Sequence, residues 1–237
     1  MKKNILVAVA AVSVLGFQSC RKTFGEGPSV NRVYNLSGFT SVDAGIDGEV
    51  YYTQDSVYKV EIYAQSNVHD LIETPIVNGE LRLQFKKFSK LGRHDRVIAY
   101  ISAPSLSGLG VNGSGTVTAS QPIGAGSMTL KVNGSGNVNI TSFTGQNLNA
   151  NISGSGHINV NGGSVTSSDL RISGSGDIDM LNMDAENVKV NTSGSGNTTV
   201  RVSRFLDVRI SGSGDVYYFG NPAVNASISG SGKVNRI

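Results

Sequence analysis

The sequence predicts an all-β protein built as a parallel β-solenoid, a stack of short strands with one coil per repeat. Two observations carry that expectation. The tripeptide Gly-Ser-Gly occurs seven times, at 113–115, 134–136, 154–156, 174–176, 194–196, 212–214 and 230–232, with offsets of 21, 20, 20, 20, 18 and 18 residues. A fixed period near 20 marks a repeat architecture. The flanks repeat too, as in Leu130-Lys131-Val132-Asn133 before one copy and Asn137-Val138-Asn139-Ile140 after it. Alternation of apolar and polar residues is the period-two signature of a half-buried strand, and a flexible Gly/Ser linker lacks it.

The glycines permit a tight bend between two strands, where a residue with a Cβ would clash or be strained. Stacking coils at the inter-strand spacing of roughly 4.8 Å would give seven coils over 107–237, a rod on the order of 34 Å long. The inward positions then form columns. One reads Val111, Val132, Ile152, Ile172, Thr192, Ile210, Ile228; its counterpart reads Val117, Val138, Ile158, Ile178, Thr198, Val216, Val234. Both columns break to threonine in the fifth coil, which fixes their relative register. About four buried aliphatic side chains per coil supply roughly 1.5–3 kcal/mol each. Ordering each backbone residue costs about 1–2 kcal/mol, so a coil folds only against its neighbours.

Residues 30–106 are β-rich without the repeat. Strands are expected around 39–42, 49–53, 57–63, 80–85 and 97–101, with a helical turn between Ser66 and Ile72 capped by Ser66 or Asn67. Most of the Tyr and Phe residues lie here, as suits a region that caps one end of an array and covers its exposed core and strand edges. Pro104 marks the passage into the first clear coil.

Residues 1–20 read as an export signal: Lys2 and Lys3 precede an uncharged apolar run from Ile5 to Phe17, too short to span a bilayer as a helix. The run ends at Ser19-Cys20, and Cys20 is the only cysteine. This ending resembles a bacterial lipoprotein signal, which implies lipidation at Cys20; a lone thiol in an exported chain, having no intramolecular partner, favours that over the alternative of an ordinary secretory signal. Arg21 offers no aspartate-type inner-membrane retention signal, which makes an outer-membrane lipoprotein of the cell envelope the expected location. Residues 21–29 form a short tether. Loss of Lys2 and Lys3 with the signal takes the formal charge from +3 to +1, and charged residues make up 16% of the chain against about 25% in ordinary domains. No nucleic-acid partner is expected from that balance.

Few residues invite chemistry. The position after each Gly-Ser-Gly reads Thr116, Asn137, His157, Asp177, Asn197, Asp215, Lys233. Asp177 and Asp215 would stand about 10 Å apart, near the carboxylate separation of an inverting glycosidase. The changing identities favour a solvated edge ladder instead. Gly-Ser-Gly-Asp at 174–177 and 212–215 has the wrong period for a calcium-binding nonapeptide array and too few carboxylates. His69, His94 and His157 have no metal-like spacing, and Pro122 to Ser127 lacks the Lys-Ser/Thr of a phosphate loop. No catalytic, cofactor or metal residue is therefore expected. The one basic run, Lys86 to Arg96, lies between two expected strands and reads as a long hairpin tip. Its Lys86, Lys87, Lys90 and Arg93, interleaved with Phe88 and Leu91, form a candidate contact loop for an anionic glycan or lipid headgroup. Read otherwise, its charges only discourage edge pairing. Among the repeats, Tyr217 is the one outward stacking candidate.

The Phe39-Thr40-Ser41-Val42 opening, the Asn78-Gly79-Glu80-Leu81 turn and coils such as Gly136-Asn137-Val138-Asn139, Gly156-His157-Ile158-Asn159 and Gly232-Lys233-Val234-Asn235 resemble the bacterial head GIN domain family over roughly residues 31–237. The resemblance implies a right-handed β-helix-like exported protein, adhesin-like and lipid-anchored in Gram-negative bacteria, with no catalytic residues to carry over. The expected function is a non-catalytic interaction module held to a membrane by its N-terminal lipid and meeting a glycan or protein partner. A structural envelope lipoprotein and a polysaccharide-active enzyme are the alternatives.

Overall fold

Each Gly-Ser-Gly turns the chain through a corner that is itself part of the hydrogen-bond ladder. At the first glycine φ lies between 120° (Gly134) and 136° (Gly212), a backbone conformation that side chains with a Cβ rarely adopt. At the second, for example Gly156, a Cβ would overlap the carbonyl oxygen of Gly136 in the neighbouring coil. The serine between them donates its N–H to the first glycine of the preceding coil, as from Ser155 to Gly134 (2.8 Å) and Ser195 to Gly174 (2.9 Å). The corners therefore stack without a break.

The computed structural model describes residues 22–237; the expected signal peptide and Cys20 lie outside the described residues. The fold is nearly all-β, a solenoid whose seven corners enclose about six turns. Strands entering the corners form a first face, where Val111, Val132, Ile152, Ile172, Thr192, Ile210 and Ile228 pair in one parallel register. Strands leaving the corners form a second, aligning Val117, Val138, Ile158, Ile178, Thr198, Val216 and Val234. Both columns match those read from the sequence. A shorter third face aligns Gly124, Thr144, Ser164, Asp184, Arg201 and Phe219. Inward residues from Val111 to Ile210 and from Val117 to Val216 are at most 3% exposed, so the core runs continuously along the stack.

The region before the repeats belongs to the same stack. Ser41–Gly45 and Glu49–Gln54 pair in register with the first coil, setting Val42 on Leu109, Ala44 on Val111, Val50 on Val117 and Tyr52 on Ala119. Ile46-Asp47-Gly48 thus stands where later coils have Gly-Ser-Gly, and Gly48 still accepts a hydrogen bond from Thr116 N–H (2.9 Å). Outside this rung lies another: Glu80–Phe85 and Ile98–Ala103 run parallel to Ser41–Gly45 and Glu49–Gln54. The spatial order departs from chain order, because the chain passes outward and returns to enter the first coil at Gly108.

Antiparallel pairing then closes this end. Lys59–Gln65 lies antiparallel to Ile98–Ala103, Ser29–Val33 lies against Lys59–Gln65, and Ile72–Glu73 and Ile76–Val77 flank Glu80–Phe85. The helical turn is Ser66–His69, with Gln65 as N-cap in place of the expected Ser66 or Asn67. The Asn67 side chain is used elsewhere, accepting from Glu26 N–H (3.1 Å) and donating to Phe24 O (2.7 Å).

Candidate interaction face

Strand alternation that sends Ile152, Ile172 and Ile210 inward sends their neighbours out, and stacking turns those neighbours into rows. One outward row of the first face reads Lys131, Asn151, Arg171, Asn191, Arg209, Ser227. Its companion next to the corners reads Asn112, Asn133, Ser153, Ser173, Ser193, Ser211, Ser229. Between the rows runs a groove of about 540 Å³, floored by the strand backbone around Ile152, Ile172 and Ile210.

The first row alternates cation and amide. Lys131, Arg171 and Arg209 recur on every second rung, about 10 Å apart at the inter-strand spacing. Each arginine is braced along its own strand, Arg171 by Asp169 (2.7 Å) and Arg209 by Asp207 (3.5 Å). Both guanidinium side chains remain more than half exposed, so these surface pairs orient them at little energetic gain. Towards the capped end the companion row is tied off by Asn133 donating to Asn112 (2.8 Å) and Asn112 donating to Asp43. Burial holds the Asp43 carboxyl above the usual range, with the Asn112 hydrogen bond acting against it.

The edge ladder after the corners has a structural role that the sequence reading missed. Asp177 Oδ1 accepts from Asn197 N–H (2.8 Å), Asn197 Oδ1 from Asp215 N–H (3.0 Å), and Asp215 Oδ1 from Lys233 N–H (2.8 Å). In these coils an Asp or Asn side chain therefore carries the ladder at the corner. The visible signal was an Asp or Asn at the same place in three consecutive coils. The second oxygens are also engaged: Asp177 Oδ2 lies 3.5 Å from His157 Nδ1, and Asp215 Oδ2 accepts from Tyr217 OH (3.1 Å). That hydrogen bond, with the Asp215 charge, pushes the Tyr217 phenol above its ordinary range. Tyr217 is thereby tethered to Asp215.

Residues 38–222 match the family model described as "putative auto-transporter adhesin, head GIN domain". This chain belongs to the head GIN domain family. A solved "putative adhesin" from Bacteroides fragilis is 27% identical with a TM-score of 0.85, covering 91% of this chain and all of its own. A "putative lipid binding protein" from Parabacteroides distasonis is 25% identical with a TM-score of 0.75, covering 92% of this chain and all of its own. A "putative adhesin" from Parabacteroides merdae, 20% identical with a TM-score of 0.74, covers 91% of this chain and 99% of its own and shares the fold. No curated protein matches the chain in sequence.

In this head GIN protein the basic run is not a hairpin tip. The strands it joins lie on different faces, with Leu83 over Ala44 and Ala99 over Val50, so Lys86 to Arg96 replaces Gly-Ser-Gly at the corner of the outermost rung. Lys86, Lys87, Lys90 and Arg93 are exposed, and Phe88 is 98% exposed. The loop is stitched to the start of the described chain: Thr23 N–H donates to Lys90 O (2.7 Å) and Gly25 N–H to Arg93 O (3.0 Å).

The histidines do not converge, and no group of three metal-ligating side chains occurs among the described residues. His69 is buried in the cap, its Nε2 2.9 Å from Val30 O and its Nδ1 3.3 Å from Tyr34 OH. Burial lowers its pKa, which keeps the ring neutral, donating from Nε2 and accepting at Nδ1.

Proposed function

We propose that this head GIN domain protein is a lipid-anchored adhesin-like module of the cell envelope that holds an extended glycan along the groove of its first face and catalyses no reaction. The groove-lining run Asn151, Arg171, Asn191, Arg209, continued in the same row by Lys131 beyond the groove, carries the reading. A sugar in an extended chain advances by about one inter-strand spacing, so a cation on every second rung matches one acid per disaccharide. The serine and asparagine rows offer donors and acceptors to sugar hydroxyls. The membership of an adhesin-like family supports an envelope role.

Binding to hyaluronan fragments, with one carboxylate per disaccharide, and to neutral dextran tests the groove. Arg171→Ala/Arg209→Ala is expected to weaken hyaluronan binding at least about tenfold, the loss of two charge-assisted contacts. Neutralising Lys86, Lys87, Lys90 and Arg93 should leave it unchanged. The opposite pattern would move the site to the basic loop, and no binding to either glycan would favour a structural lipoprotein. For anchoring, metabolic palmitate labelling is expected in wild type and lost in Cys20→Ala; an unlabelled wild type overturns the anchor. Asp177→Asn/Asp215→Asn keeps both ladder acceptors, so polysaccharide turnover that vanished in this variant would identify an enzyme.

A further inference from the structure

The two ends of the stack are finished differently. At the outer Glu80–Phe85 rung, antiparallel strands and the Ser66–His69 turn cover the core. At the opposite end, among the described residues, Ala223–Gly230 pairs only with Thr198–Gly212, and Val234–Arg236 only with Val216–Gly220. On the first face the core columns end bare there: Val224 and Ile228 are 41% and 44% exposed, whereas Leu206 and Ile210 beneath them are at most 2% exposed. All eight residues of Ala223–Gly230 are exposed and none carries a charge. Solenoid ends need covering, and solvent-facing edge strands are ordinarily blunted by charge, proline or an overlying element. Among the described residues this edge has none of these along its length.

We propose that the Ala223–Gly230 edge pairs with the same edge of a second copy, joining two solenoids end to end about a two-fold axis. A two-fold operation sets the strands antiparallel. Centred on Ala226, the register places Val224 opposite Ile228 of the second copy and Asn225 opposite its Ser227. Inward residues then meet inward residues, and one core runs through the junction. A slip of one residue would set inward against outward positions and leave both core ends open. Charge favours this occupant: an uncharged strand meets its own copy without a like-charge pair, and Lys233 and Arg236 lie beyond it, at and after the corner. Head-to-tail stacking lacks this match, because the far end is capped and its Ser29–Val33 edge carries Arg32.

Sedimentation velocity of the mature chain over a concentration series tests the pairing independently of any glycan. Wild type is expected to be a dimer. Ala226→Lys, which sets two ammonium groups against each other at the axis, should raise the dimer dissociation constant at least about tenfold. Val33→Lys, at the opposite edge, should leave it unchanged. Ala226 is solvent-exposed in the single chain, so the variant's monomer should keep the wild-type circular dichroism spectrum. A monomeric wild type, open-ended oligomers, or a dimer indifferent to Ala226→Lys would overturn the proposal.

Discussion

The Gly-Ser-Gly coils and the two rungs ahead of them build the same ladder from different sequences. In the coils, each corner is stacked on the one towards the capped end, so its glycines must pass close to that corner's carbonyls, and a Cβ there would overlap them. The rung at 41–54 keeps only Gly48 of that signature. The rung at 80–103 lies outermost at the capped end, with no corner beneath it among the described residues for a Cβ to meet, and there the tight turn gives way to the long basic loop. Repetition in the sequence therefore records crowding at the corner, while the stack itself needs only inward apolar residues in register.

The contrast can be broken most severely in the coils. Ile172→Asp puts an unpaired charge into the continuous core and should cost about 4 kcal/mol or more, seen as loss of the folding transition in urea. Arg171→Asp, on the next residue but facing out, should change stability by less than about 1 kcal/mol. Equal effects would overturn the register. Next in size is Gly156→Ala, whose methyl group meets the Gly136 carbonyl; about 1–3 kcal/mol is expected from overpacking. Gly126→Ala, in a loop with open space around it, should be neutral or stabilise by up to about 1 kcal/mol. Thermal melts of the pair separate corner glycines from loop glycines.

Smaller effects sharpen the comparison. Thr192 and Thr198 are buried in the fifth coil, and neither hydroxyl finds a hydrogen-bond partner among the described residues. Thr198→Val should therefore stabilise by about 1 kcal/mol, measured by urea midpoint. In the cap, His69 is held neutral with its pKa below the ordinary 6.5. Below pH 6.5 the unfolded chain binds a proton there that the folded chain resists, so stability is full above that pH and falls as pH drops through it. His69→Gln should flatten this slope in urea unfolding; an unchanged slope would remove His69 from the pH response.

Much of the coil was legible because identical corners recur at nearly constant spacing. Both inward columns, down to the paired threonines, follow from alternation alone. The rungs at 41–54 and 80–103 were read as strands but not as rungs, since Ile46-Asp47-Gly48 hides the corner and spatial order departs from chain order. Strand periodicity also does not say whether two consecutive strands form a hairpin or turn a corner, which is why Lys86 to Arg96 was misplaced. The outward Lys131-Asn151-Arg171-Asn191-Arg209 row was present in the sequence, yet it becomes a groove only once the coils are stacked. Asp177 and Asp215 suggested chemistry by spacing, whereas their contacts give them to the backbone.

The central claim is that the region before the repeats and the coils share one ladder. Native-state hydrogen exchange tests it directly, comparing backbone amides of Ser41–Gly45 and Glu49–Gln54 with those of Ser127–Gly134 and Asn137–Ile140. One cooperative stack predicts that both sets exchange in the same slow class, through global unfolding. Fast exchange in 41–54 while the coil amides stay protected would contradict it, leaving the repeats as a solenoid with a separate domain at its end.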